Sequence, residues 1–197
     1  MSCVAIIPAR GGSRRIPRKN IKMFYGKPII AYSIAAAKES GLFDLVVVNS
    51  DEDNIKDISL KLGADAVMSR DGYLASDECG THEVMQYAVN GLRLADDDLV
   101  CCIYATSPLM SVSDLKRGYL ILKNSPDKSH AISVGYPPLQ DAAQFYWSSV
   151  MSLRMGVDYF EGDTAIVRID SERVCDINTP EDWTRAEQMY AALQEKK

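Results

Sequence analysis

Three short runs constrain this fold more than anything else in the chain. Val4-Ala5-Ile6-Ile7, Leu45-Val46-Val47-Val48 and Leu99-Val100-Cys101-Cys102-Ile103-Tyr104 carry no charged or amide side chain at any position. A strand with one face in water alternates polar and apolar residues, so an unbroken apolar strand is covered on both faces. None of the runs approaches the ~20 residues of a membrane span. Between them lie segments with helical signals. One runs from Pro28 to Ser40 with Gly41 past its end, another from Glu52 to Leu62 before Gly63, and a third from Thr81 to Ala95. Buried strands alternating with helices predict a three-layer α/β domain on a mainly parallel sheet. The 197 residues suit one such domain.

Further along, Ala66–Met68 reads as a short strand, and Ser111 or Ser113 caps a helix that reaches Lys123. Ala131–Val134 and Thr164–Ile169 read as strands, while residues 135–162 show no clear pattern. The last helix is the best marked. Thr179 is its N-cap, Pro180 its first residue, and Glu181 and Asp182 complement its positive end. Trp183, Ala186, Tyr190 and Leu193 then fall at helical spacing, a core stripe.

Charge is distributed unevenly. Residues 1–38 contain eight Lys or Arg and no acid, so all 27 Asp and Glu lie beyond them. Six of those cations fall between Arg10 and Lys22, five of them in the loop Ala9-Arg10-Gly11-Gly12-Ser13-Arg14-Arg15-Ile16-Pro17-Arg18-Lys19-Asn20 that directly follows the first strand. Glycines let backbone N–H groups approach phosphate oxygens, and Arg and Lys neutralise their charge. The loop lacks the ending of a P-loop and the spacing of a dinucleotide fingerprint. A local basic cluster on an acidic body fits a small polyphosphate and argues against a nucleic-acid surface.

The five cysteines form no C-x-x-C pair, and only two histidines, His82 and His130, are present. This weakens any zinc or Ser-His-Asp proposal. The odd cysteine count and the absence of a charged n-region at Met1-Ser2-Cys3-Val4 predict a cytoplasmic protein with free, mostly buried thiols and no membrane segment.

At this level of detail the sequence resembles a known family. The blocks Ile7–Ser13, Ile16–Ile21 and Gly26–Ser33 look like the cytidylyltransferases that activate nonulosonic sugar acids. So do Ser69-Arg70 with Leu74-Ala75, Gly80-Thr81, Tyr104–Leu109, Asp141–Trp147 and Asp176–Trp183, in the same order. Within the family the chain most resembles the members acting on pseudaminic acid, with N-acylneuraminate and legionaminate members close. The resemblance implies a three-layer α/β/α Rossmann-like fold of the nucleotide-diphospho-sugar transferase type. It implies a reaction in which the sugar's anomeric hydroxyl attacks the α-phosphorus of CTP, Mg²⁺ assisting, and pyrophosphate leaves. Arg10, Arg14 and Lys19 match catalytic positions. Ala9, Arg10, Gly11, Gly12, Ser13, Lys19, Asn20, Arg70 and Thr81 match nucleotide-binding positions. Gln144 and Tyr146 match the sugar pocket, and Asp176 and Asn178 the metal site.

Four departures accompany the match. Arg14 replaces a lysine, Asn178 stands where the family has a second aspartate, and Ala143 stands where the subgroup has glycine. Only Gly135–Gln140 occupies the place of a longer segment that supplies a dimerisation element and sugar contacts. The family's homodimer and part of its sugar site are therefore open for this chain. Two other readings follow: a catalytically weakened protein that binds CTP or a CMP-sugar, and an enzyme for another sugar acid such as Kdo.

Overall fold

The structure, a computed structural model, describes residues 1–70 and 72–196. In chain order the elements are β1 (Cys3–Pro8), the ribbon strands β2 (Met23–Phe24) and β3 (Lys27–Pro28), α1 (Ile30–Ser40), β4 (Leu45–Ser50), α2 (Asp53–Lys61), β5 (Ala66–Ser69) and α3 (Thr81–Gly91). β6 (Leu99–Ile103), α4 (Val112–Asn124), β7 (His130–Tyr136), β8 (Gln140–Ser149), α5 (Val150–Arg154), β9 (Thr164–Asp170) and α6 (Pro180–Glu195) complete the chain.

Seven strands form one sheet in the order β5-β4-β1-β6-β8-β7-β9. The three apolar runs are β4, β1 and β6, which lie side by side and pair in parallel. Strand β8 alone among them runs antiparallel to its neighbours β6 and β7. Both faces of the central strands are covered. Cys3, Ala5 and Ile7 of β1 face a core built with Ile34 of α1, Ile55 of α2 and Leu115 of α4. Val4 and Ile6 face a second core with Met85 and Val89 of α3 and Leu153 of α5. This period-two split is the three-layer arrangement read from the sequence.

Three readings differ. Pro28 belongs to β3, opposite Met23, so α1 begins at Ile30. Helix α3 stops at Gly91, because Arg93 takes a left-handed conformation (φ 54°) and turns the chain toward β6. The segment without a pattern holds β8 and α5. Its polar start, Gln140-Asp141, concealed a strand whose second half sends Phe145 and Trp147 to one core and Tyr146 to the other. Tyr136–Leu139 closes a hairpin in which Gly135 pairs with Gln140. Gly118 of α4 is explained by the same strand, since a Cβ there would stand 2.5 Å from the Trp147 ring.

Thr179 caps α6 through Asp182 as expected, but the helix packs on the β2–β3 ribbon. Trp183 and Tyr190 meet the Phe24 ring edge-to-face at 5.5 and 5.7 Å. This contact sets Asp176–Asn178, just before α6, beside the loop after β1. All five cysteines are free, four of them buried. Among the described residues no helix is long and apolar enough to cross a membrane.

Candidate functional site

The basic loop leaves β1 at the carboxyl ends of the parallel strands, where ligands of such sheets bind. Ala9 is still part of the sheet edge: its N–H donates to Asn49 O at 2.9 Å and its side chain is buried. Beyond it the loop is tied to itself. Buried Asn20 donates to Arg10 O at 2.8 Å, and Ser13 N–H to Gly11 O at 2.9 Å. The N–H of Gly11, expected to face phosphate oxygens, donates instead to Asp51 Oδ1 at 2.9 Å. A Cβ on Gly11 would stand 2.5 Å from the Glu52 carboxylate and 3.0 Å from its Cβ, so any larger residue here displaces the Glu52 side chain. Around Gly12 the space is open.

Two cavities meet at this loop. One, of about 210 Å³, is lined by Arg70, Leu74, Cys79, Thr81 and Tyr104. The other, of about 420 Å³, is lined by Ser13, Arg14, Arg15 and Asn178. Arg10, Lys19, Asn20 and Asp77 border both. The fold thus brings together Arg10, Ser13, Arg14, Lys19, Asn20, Arg70 and Thr81, which the sequence places up to 71 residues apart. In the first cavity Thr81 Oγ1 and Tyr104 OH lie 3.0 Å apart as a hydroxyl pair. Arg70 is buried, and its Nε has no hydrogen-bond partner. An unpaired buried guanidinium N–H is costly unless a ligand oxygen completes it.

The second cavity is strongly cationic. Lys19 Nζ donates to Ile177 O at 2.7 Å, which fixes the ammonium between the cavities. Burial lowers the Lys19 pKa below the usual lysine value, and the Asp176 charge opposes that shift. Arg10 and Arg14 both pair with Asp77, Arg14 through Nε at 3.1 Å. The hydrogen bond from Arg10 holds the Asp77 pKa below the usual carboxylate range. Asp77, Tyr104 and Cys79 were not picked out from the sequence as site residues. Asp77 is one acid in a polar stretch, and only its pairing in space with two distant arginines marks it.

Gln144 and Tyr146 are buried and border neither cavity. They act on the site from below. The Gln144 carbonyl accepts from Tyr104 N–H at 3.0 Å, and the Tyr146 ring meets Tyr104 edge-to-face at 5.5 Å. Gln144 Nε2 donates to Arg173 O, while its Oε1 is buried without a partner. Ala143, beside it, sits in the left-handed region (φ 46°), which explains a preference for glycine at this place.

Asp176 is exposed and accepts a hydrogen bond from Asn178 Nδ2. Asn178 Oδ1 in turn accepts from Arg15 at 3.1 Å. The Asp176 carboxylate and, once Arg15 releases it, the Asn178 amide oxygen would form a pair beside the cationic cavity, which Asn178 lines. Such a pair suits a hard dication that shares its coordination with water and phosphate, not an all-protein cage. No cluster of three or more His, Cys, Asp or Glu fit for a metal occurs among the described residues.

A sequence profile of the cytidylyltransferase family matches residues 4–182. A pseudaminic acid cytidylyltransferase of Campylobacter jejuni strain 81-176 is 34% identical over 96% of this chain and 97% of its own. That alignment spans 224 positions, more than the 197 residues present here, so the relative carries residues this chain lacks. A second C. jejuni pseudaminic acid cytidylyltransferase, from serotype O:2, is 49% identical over 60% of this chain and 52% of its own, so the matched part spans about half that protein. The CMP-N,N'-diacetyllegionaminic acid synthase of Legionella pneumophila is 42% identical over 62% of this chain and 54% of its own. In fold, a CMP-2-keto-3-deoxy-manno-octonic acid synthetase complexed with CTP superposes over the full length of both chains with a TM-score of 0.78 at 15% identity. Through its profile match and its near full-length relative, the chain belongs to the cytidylyltransferase family.

Proposed function

We propose that this chain transfers CMP from CTP to the anomeric hydroxyl of a nonulosonic sugar acid, pseudaminic acid first among them, with release of pyrophosphate. The observation that carries the reading is the pair of cavities sharing Arg10, Lys19 and Asn20. The smaller one, with the unpaired Nε of Arg70 and the Thr81–Tyr104 hydroxyls, takes cytosine and ribose. The larger one, with Ser13, Arg14 and Arg15, takes the β- and γ-phosphates. The α-phosphate then lies at the shared wall, beside Lys19.

In this reading the protein catalyses by position and charge. Arg10 and Lys19 neutralise the charge that builds on the phosphorus oxygens, and Arg14 stabilises the departing pyrophosphate. Because Lys19 is tied to Ile177 O and Asn20 to Arg10 O, the donors are in place before the reaction. Gln144 and Tyr146 position Tyr104 at the sugar side of the smaller cavity. Asp176 and Asn178 would hold Mg²⁺, which when bound supplies further neutralisation of the triphosphate. The free thiols and the nucleotide substrate fit a cytoplasmic enzyme.

A second reading is favoured by the metal-site side chains. Arg15 holds the Asn178 oxygen and turns the amide nitrogen toward Asp176. With the short Tyr136–Leu139 loop, this suits a relative that binds CTP but turns over slowly. Pyrophosphate release measured with CTP, saturating Mg²⁺ and a panel of pseudaminic, legionaminic, N-acetylneuraminic and Kdo acids separates the two. Turnover with pseudaminic acid supports the enzyme. Tight CTP binding without turnover on any acid supports the second reading.

A further inference from the structure

Asp77 borders both cavities and pairs with two arginines of the basic loop at once. It lies on the segment 72–80, which also supplies Leu74, Ser76 and Cys79 to the smaller cavity. That segment is clipped to the start of α3. Glu83 accepts from Gly80 N–H at 2.9 Å and from Tyr73 OH at 3.2 Å. Asp77 therefore reaches across from a clipped loop to the phosphate cradle. Its carboxylate presents two oxygens to Arg10 and Arg14, as a phosphate group would.

We propose that Asp77 is an internal counterion of the cradle, competing with the nucleotide's phosphates for Arg10 and Arg14. This rests on the reading of the basic loop as the triphosphate site. When a triphosphate enters, its oxygens replace the Asp77 carboxylate on both guanidiniums. The carboxylate returns to water, and the segment 72–80 is released from the loop after β1. The exchange makes filling of the phosphate cavity and movement of the base-cavity wall one event. In the closed arrangement Asp77 also keeps Arg10 and Arg14 at a common point, so the cradle stays assembled.

Both ion pairs are partly exposed, and exposed pairs are individually weak. Removing the competing charge therefore tightens phosphate binding by about three- to tenfold. The test is calorimetric titration of pyrophosphate, CTP and CMP into the wild-type chain, Asp77→Asn and Asp77→Glu. Asp77→Asn tightens pyrophosphate and CTP by that factor and tightens CMP, whose single phosphate meets Arg10 but not Arg14, by less, while Asp77→Glu stays near wild type. Unchanged or weaker CTP binding in Asp77→Asn overturns the proposal, as does equal tightening of CMP. Thermal melts accompany the titrations; an Asp77→Asn chain that does not fold would make the carboxylate structural and overturn the proposal too. Failure of the wild type to bind pyrophosphate or CTP overturns the triphosphate site itself, a distinct result.

Discussion

Replacing Lys19 by methionine keeps its aliphatic stem and removes its ammonium. In the structure that ammonium does two things. It donates to Ile177 O at 2.7 Å, joining the basic loop to the segment before α6, and it stands in the wall shared by the two cavities. The two contributions are separable. A hydrogen bond to a charged partner contributes about 1.5–3 kcal/mol, so loss of the phosphate contact lowers CTP-dependent kcat/KM about 10- to 150-fold. Loss of the bond to Ile177 O, which is charge-assisted too, costs the fold about 1.5–3 kcal/mol, a drop of roughly 3–12 °C in melting temperature for a chain of this size. Pyrophosphate release at subsaturating CTP reads the first and a thermal melt the second. Lys19→Arg restores the charge with a wider fork and lies between the two. A loss below tenfold in kcat/KM, with the melt little changed, refutes the placement of Lys19 at the reacting phosphate.

Asn178→Asp converts the amide that Arg15 now orients into a second carboxylate, and it lowers the Mg²⁺ concentration for half-maximal activity by about tenfold; an unchanged Mg²⁺ dependence removes residue 178 from the metal site. Ala143→Gly relieves a left-handed alanine (φ 46°), worth about 1 kcal/mol, and raises the melting temperature by roughly 2–4 °C; a lower melting temperature contradicts this. Burial pushes the His130 pKa down to about 4, so the imidazole stays neutral in the fold while the unfolded chain protonates near 6.5. Its contribution is present above pH 6.5 and is lost as pH falls from there toward 4, by about 3 kcal/mol. Denaturant titrations across that window show a shallower fall for His130→Gln than for the wild type, and equal slopes argue against the assignment.

Much of this was legible in the residues, and what was not has physical causes. Strands β4, β1 and β6 announced themselves because burial on both faces leaves no room for polar residues. The Thr179 cap was legible because capping chemistry is local. Strand β8 was not, since its identity depends on pairing with β6 and β7, and its first residues face outward. Pro28 illustrates the same limit: proline suits a first helical turn and an edge ribbon equally, and the contact with Met23 decides. At the site, the loop from Arg10 to Asn20 is contiguous, so its charge and glycines stand out. Asp77 and Tyr104 gain their meaning only from partners far along the chain. Gln144 shows the converse: its place in a recognisable block gave no sign that its side chain lies beneath the site.

In the proposed function the two joined cavities serve one reaction, CMP transfer to a sugar acid. The direct measurement uses pseudaminic acid labelled with ¹⁸O at its anomeric hydroxyl, incubated with CTP and Mg²⁺ and analysed by mass spectrometry. The expected product is a CMP-sugar that retains the label in its bridging oxygen, formed in step with unlabelled pyrophosphate. CTP bound at the site without any labelled CMP-sugar, from this or the other acids of the panel, contradicts it.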